Sequence, residues 1–232
     1  MAETKSNSSL IPGSIIIGAL IIAVGIIVAT SAPSNPQVDS PEDQIAQVNP
    51  PAPTPEPTKV EIAEDDHIRG NRDASVFIVE YSDLQCGFCQ RFHGEMTSLL
   101  EQDTDVAWVY RHYPIPGHLQ ARPAAIATEC AAAQGGDDAF WTYLDTLFEN
   151  QNAFSGAFFL STAEAQGLNI EEFTSCLEDP VIAAFVDAQY QSGNGHGVTG
   201  TPGSFAISEK GQQPIKGLLP VASLIEIVDS LR

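Results

Sequence analysis

Cys86-Gly87-Phe88-Cys89 follows closely on an apolar run, Val76-Phe77-Ile78-Val79. Two thiols at this spacing after such a run describe a dithiol where a strand ends and a helix begins. At a helix N-terminus the free amides and the macrodipole favour an anion, so the first thiol ionises more readily. A thiolate is the attacking species in disulfide exchange, and a second thiol one turn later can resolve the mixed disulfide. Zinc sites use the same spacing, but a closed one needs four ligands, usually from a second such pair. The other cysteines, Cys130 and Cys176, stand alone and far apart. His93 lies four residues past Cys89 on the same helical face, which leaves a three-ligand cluster open beside the commoner helix-surface histidine. Redox chemistry is the favoured reading, with no metal.

The N-terminus bears on the compartment. No charge occurs from Leu10 to Ala29, and about 20 apolar residues suffice to cross a bilayer as a helix. Lys5 and the amino terminus precede this stretch, opposed by Glu3, while Asp39, Glu42 and Asp43 follow it. The positive-inside rule puts the C-terminal part outside the cytoplasm. Residues 1–30 are read as an uncleaved transmembrane signal anchor. The rival is a secretory signal cleaved at Ala29-Thr30-Ser31. Either exports the rest to an oxidising space, where disulfides persist. Ser31 to Lys59 holds Pro33, Pro36, Pro41, Pro50, Pro51, Pro53, Pro55 and Pro57 and almost no large apolar residue. Such a segment cannot bury enough surface to fold, so residues 31–59 read as a disordered tether. Residues 60–232 are enough for one sizeable domain. A formal charge of −20 and a pI near 4.3 argue against nucleic acid or an anionic membrane surface as partner.

Within that domain the pattern is mixed α/β. Ser75–Tyr81 reads as a strand, about Cys86–Gln102 as a helix, and Val106–Tyr110 as a strand able to pair in parallel with the first. Leu119–Gln134 and Phe140–Glu149 are helical. Ser161-Thr162 is expected to cap a short helix, with Glu164 in its first turn. Glu171–Leu177 and Val181–Gln191 are further helices, broken at Pro180. Gly193, Gly195, Gly197 and Gly200 signal a loop. Gly203–Ser208 and Pro214–Leu218 form a hairpin about Glu209-Lys210-Gly211-Gln212, and Val221–Leu231 is a terminal helix. The order predicts a thioredoxin-like α/β fold with a helical insertion at about 117–192. No internal repeat is seen.

Glu80-Tyr81-Ser82-Asp83-Leu84-Gln85-Cys86-Gly87-Phe88-Cys89, the Gly200-Thr201-Pro202 triplet and this order of elements resemble the DsbA-like thiol–disulfide oxidoreductases of the thioredoxin superfamily. The likeness covers the whole domain after the tether. One departure is Gly87-Phe88, where the strongest oxidants carry Pro-His; without that histidine, the helix terminus is expected to be the main acidifier of Cys86. The resemblance implies that Cys86 is the exposed nucleophile and Cys89 the more buried resolving thiol. It implies that Pro202 is cis and that the Thr201 backbone docks an extended substrate as an added strand. A proline beside the dithiol also obstructs metal coordination. Gly87 and Phe88 belong to the substrate-binding set, with packing of Phe88 on the proline loop as the alternative.

Glu80 ends the apolar strand, six residues before Cys86. The matching family position is acidic, and a carboxyl half-buried beneath the dithiol would have a raised pKa and could relay the proton of Cys89. A solvent-facing strand residue is the bland alternative. Asp83 reads as a turn or cap residue. His112, His118, Phe140 and Trp141 read as packing or helix-start residues. Some relatives carry a second disulfide, which favours pairing of Cys130 with Cys176 over two buried free thiols. The sequence thus leads to a membrane-tethered, extracytoplasmic, monomeric enzyme without cofactor other than its own Cys86–Cys89 couple. It is expected to oxidise dithiols in exported proteins and to be reoxidised by a membrane redox partner. Isomerase or reductase activity and a non-catalytic peptide-binding chaperone are the alternatives.

Overall fold

The computed structural model describes residues 59–232, so the apolar stretch Leu10–Ala29 and the tether up to residue 58 lie outside the described residues. Two strands that are apolar on both faces organise the rest. They are β2 (Val76–Ser82) and β3 (Val106–His112), every residue of β3 being buried. Strands covered on both sides read as near-continuous apolar runs, and this pair runs parallel. The crossover is α1 (Gly87–Gln102), whose Cys89, Phe92, Met96 and Leu99 recur at helical spacing and are buried. β1 (His67–Gly70) adds to β3, and β4 (Gly203–Ser208) and β5 (Gly211–Lys216) add to the other side, all antiparallel, for the order β1-β3-β2-β4-β5.

Between β3 and β4 the chain inserts a helical block: α2 (Ala121–Glu149), a 3-10 turn (Gln151–Ala153), α3 (Gly156–Ala165), α4 (Ile170–Leu177) and α5 (Pro180–Gly195). α6 (Val221–Ser230) closes the chain. One face of the sheet packs Ile78, Trp108, Tyr110 and Ala206 into the larger core with α1, α2 and α6; the other gathers Val79, Tyr81, Val109, Tyr113 and Phe205. This is the thioredoxin-like fold with a helical insertion.

The differences from the sequence expectation have local causes. β1 has no apolar alternation; it is an edge strand held by tertiary ion pairs, Arg69 to Asp145 at 2.7 Å and His67 to Glu129 at 3.1 Å. The two helices expected over 119–149 are one element, kinked at Gly136 (φ 62, ψ −154), a conformation open to glycine. Ser161-Thr162 does not cap α3. Ser155 does, accepting from the Phe158 amide, while Ser161 bonds back to the Phe158 carbonyl inside the helix and Glu164 falls in its last turn. α5 runs on through Gly193, in the expected loop. A Cβ there would come within 2.6 Å of the Tyr113 ring, so this glycine serves close packing of helix on sheet. Pro180 stands at the start of α5, behind the Asp179 cap. In the hairpin, Gly211 and Gln212 belong to β5, and Pro214 is tolerated because β5 is an edge strand.

Cys130 of α2 and Cys176 of α4 are joined by a disulfide, with Cα atoms 5.7 Å apart. The buried Glu129 next to it accepts from His112 (2.9 Å) and His67 (3.1 Å) and thereby ties α2 to β3 and β1. Burial opposes ionisation, but those two hydrogen bonds together with the electrostatic attraction of the same two rings outweigh it and hold the carboxyl at about 2. Among the described residues no helix is long and apolar enough to cross a membrane.

Candidate active site

β2 ends at Ser82 and the turn 83–85 delivers Cys86 to the first position before α1, with extended backbone (φ −81, ψ 121). Asp83 holds that turn. Its carboxylate accepts from the Gln85 amide (2.7 Å), the Ile115 amide (2.7 Å) and the His118 ring (2.8 Å), so it is the turn residue expected. His118 and His112 are thus more than packing residues: each is bonded to a buried carboxylate. Gln151 of the 3-10 turn adds a clamp, donating to the carbonyls of Leu84 (2.8 Å) and Cys86 (3.0 Å). Sequence reasoning missed it, since no local pattern announces a contact across 65 residues.

Cys86 and Cys89 are present as free thiols, 7% and 0% exposed. The order of exposure is as expected, but Cys86 is far more covered than an exposed nucleophile. The cause is the loop that bears the cis Thr201-Pro202 peptide bond: the Thr201 carbonyl lies 3.6 Å from the Cys86 sulphur. The Cys86 thiol is drawn down from 9.0 to about 5, first by the hydrogen bond of the Cys89 thiol. Burial opposes this; Thr201 and then the amides of Cys89 and Phe88 add to it. The helix-terminal amides thus act together with the Cys89 thiol on Cys86. Burial first, and then the bond to Cys86, push the Cys89 thiol well above the ordinary range.

Glu80 is 1% exposed, not half-buried and not solvent-facing. Burial pushes its carboxyl up to about 8, against the hydrogen bonds of Ser82 and Trp108. The Trp108 indole donates to Glu80 at 3.0 Å. Trp108 was not singled out from the sequence; strand alternation gives its face, but only the β2–β3 register shows that this face is the one carrying Glu80.

Phe88 is 56% exposed, with the Arg91 guanidinium 4.6 Å from its ring centre. Gly87 leaves open space where a side chain would be. A groove of about 650 Å³ runs along the proline loop, lined by Val198, Thr201, Pro202, Gly203, Phe205 and Ile215 among others. His93 is not a surface histidine. It is bonded to Asp145 at 2.9 Å and packed between Trp108 and Phe148, so it is committed away from the dithiol. Phe140 stacks on His67 and Trp141 lies under Arg69, both as packing residues. Among the described residues no cluster of three or more His, Cys, Asp or Glu side chains is placed to hold a metal ion.

A family model described as "Thioredoxin" matches residues 63–217, which include the dithiol, the helical block and the proline loop. The chain belongs to the thioredoxin family. Among solved structures it is similar to DsbA2 of Pseudomonas aeruginosa, with TM-score 0.65 and 26% identity over 74% of this chain and 97% of that one. It is also similar to a thioredoxin-like oxidoreductase of Silicibacter pomeroyi, with TM-score 0.59 and 27% identity over 72% of this chain and 92% of that one. Within the family its fold and its Cys86–Cys89 and Thr201-Pro202 motifs resemble those of the DsbA-type proteins. Among curated proteins it is 35% identical over 150 residues to the Na(+)/H(+) antiporter NhaA 3 of Salinispora tropica, a match covering 64% of this chain and 22% of that protein. The chain thus spans about a fifth of the length of such relatives, and their name carries no transport activity over to it.

Proposed function

We propose that this thioredoxin-family protein oxidises cysteine pairs in exported proteins from outside the cytoplasm, as a monomer tethered by Leu10–Ala29. The observation that carries the reading is the asymmetry of the dithiol: a Cys86 thiol drawn down to about 5 above a Cys89 thiol held protonated by burial. A stabilised thiolate stabilises the reduced form, and a stabilised reduced form makes the disulfide the stronger oxidant. The Cys130–Cys176 bond supports an oxidising compartment.

In the oxidising direction a substrate thiolate attacks the Cys86 sulphur of the Cys86–Cys89 disulfide. Cys89 leaves as a thiolate and takes a proton from the Glu80 carboxyl. The second substrate thiolate then attacks the mixed disulfide, its own disulfide forms, and Cys86 departs as the stabilised thiolate. A membrane redox partner removes the two electrons and restores the Cys86–Cys89 bond. The Thr201 backbone and the groove beside Pro202 hold an extended substrate, and exposed Phe88, next to Gly87 with its open space, supplies apolar contact.

Two measurements test this. Equilibration of the Cys86–Cys89 couple with glutathione should give a potential well above the thioredoxin value of about −270 mV. Non-reducing gels of cell envelopes should show Cys89→Ala holding substrates as mixed disulfides while Cys86→Ala holds few. A potential at or below the thioredoxin value would assign the enzyme to reduction. Covalent species from neither variant, with peptide affinity kept in the double variant, would point to a chaperone.

A further inference from the structure

The chain carries a formal charge of −20, yet the surface around the dithiol is not acidic. No carboxylate lines the groove along the proline loop, and its ionisable groups are His196 and Lys216. Strand pairing places Lys216. It stands opposite Gly203 of β4, the residue after Pro202, and the Gly217 amide donates to the Pro202 carbonyl at 3.0 Å. Phe205 and Pro214 oppose each other two residues further along the same ladder, so they share the face that carries Lys216. Val198 packs with Phe205. The groove is therefore apolar, with one ammonium group at the end nearest the dithiol. No ion pair among the described residues includes Lys216. Glu80 and Asp83, close to the dithiol in sequence, are each 1% exposed and present no carboxylate to a substrate.

A second cation stands on the other side of Cys86. Arg91 of α1 is exposed and lies over the face of the Phe88 ring. Among the described residues Arg69, Arg72, Arg111, Arg122 and Arg232 each pair with an aspartate, and Arg91 pairs with none. Stacking on an aromatic face holds a guanidinium in place and leaves its N–H groups for a carboxylate. α1 packs on one face of the sheet and the groove lies on the other, so Cys86 sits between the guanidinium and the ammonium. We propose that the enzyme selects acidic segments of its substrates, with Lys216 and Arg91 as the specificity-determining residues. The substrate cysteine meets Cys86. A carboxylate on one side of it meets Lys216, apolar side chains lie along Phe205 and Pro214, and a carboxylate on the other side meets Arg91. The acidic surface elsewhere repels such a segment, which confines it to this rim. Exposed ion pairs are individually weak, so they choose between substrates and leave the chemistry unchanged.

This inference rests on the thiol-exchange reading above, and one assay separates the two. The reduced full-length protein is mixed with disulfide-linked dimers of short single-cysteine peptides that carry Glu, Gln or Lys on one side of the cysteine or the other. The Cys86 thiolate attacks one peptide sulphur and the second peptide leaves as a thiolate. Cys89 then displaces the bound peptide, and the Cys86–Cys89 bond closes. Loss of reduced protein is followed by mass after acid quench. Each rate is divided by that of the same dimer with mercaptoethanol, which removes the peptide's intrinsic reactivity. Glu peptides should react about threefold faster than Gln peptides, within the range of an exposed ion pair, and Lys peptides more slowly still. In about 1 M salt, where the Debye length is about 3 Å, the preference should shrink. Lys216→Gln should remove it on one side of the cysteine and Arg91→Gln on the other, while Lys216→Arg keeps it. Lys210→Gln, in the turn between β4 and β5 and outside the groove, should change nothing. Equal rates for Glu and Gln peptides would assign the groove to neutral apolar segments and overturn the selectivity alone. Faster attack on Lys peptides, as the net charge by itself would give, or an equal loss of preference in Lys210→Gln would do the same. A wild-type chain that attacks none of the dimers would overturn the exchange reading with it.

Discussion

Replacing Glu80 by Gln should make the domain more stable and the enzyme slower. Glu80 has an ordinary pKa of 4.5 when unfolded and about 8 when folded, because burial penalises its charge. Between those values the folded state holds a proton that the unfolded state has released, so stability falls as pH rises, by about 1.4 kcal/mol per pH unit. At pH 7 the cost has built up over about 2.5 pH units and reaches about 3 kcal/mol; above pH 8 it levels near 5 kcal/mol. Below pH 4.5 both states are protonated and it vanishes. Glutamine keeps the shape, accepts the Trp108 N–H and never ionises, so it removes this cost. The assay is denaturant unfolding of both proteins, with Cys86–Cys89 reduced, from about pH 4 to 9. The stability difference should be near zero at the acid end and grow to the plateau. Cys86 titrates in the opposite sense, since its lowered folded pKa adds stability as pH rises from about 5 towards 9; comparing the two proteins cancels that trend to first order. Glutathione-adduct resolution in the glutamine variant should be slower. A stability gain independent of pH, or a loss at every pH, would refute the reasoning that Glu80 is buried and neutral.

Thiolate absorbance of the reduced protein should titrate near 5 at Cys86; a value at or above about 8.5, that of a free thiol, would contradict the acidified dithiol. Mild reductant should open Cys86–Cys89 and leave Cys130–Cys176 closed, as read by differential alkylation. Replacing both Cys130 and Cys176 with alanine should cost about 4 kcal/mol, the chain-entropy value for a loop closed across 46 residues. Glu129→Gln should cost about 3 kcal/mol near pH 6, since it strips a buried pair of one partner. That cost should fade in acid, as wild-type Glu129 approaches its folded value of about 2. It should fade too above neutrality, because the raised pKa of His67 makes its stabilisation complete below 6.5 and lost as pH rises through the folded value.

Much of this protein is legible before any coordinates. The Val76–Val79 run, the Cys86/Cys89 spacing and the helical periodicity of α1 are short-range signals, and they define a strand, a turn and a helix carrying a dithiol at its start. Thr201-Pro202 and the helices before it extend that to a family. Glu80 stood out because it is a charge at the end of an apolar strand. Other features escaped, for one physical reason. The face of a strand follows from alternation along one segment, but its neighbour follows from register, and register is set by packing of whole elements. Tertiary structure alone therefore decided that Trp108 bonds Glu80, that Tyr110 and Ser82 share its buried layer, and that Gln151 clamps the dithiol turn. The same holds for β1, too short and polar to signal itself, which exists because Arg69 and His67 find carboxylates on α2. It holds also for the covering of Cys86, whose sulphur meets the Thr201 carbonyl of a loop 115 residues away.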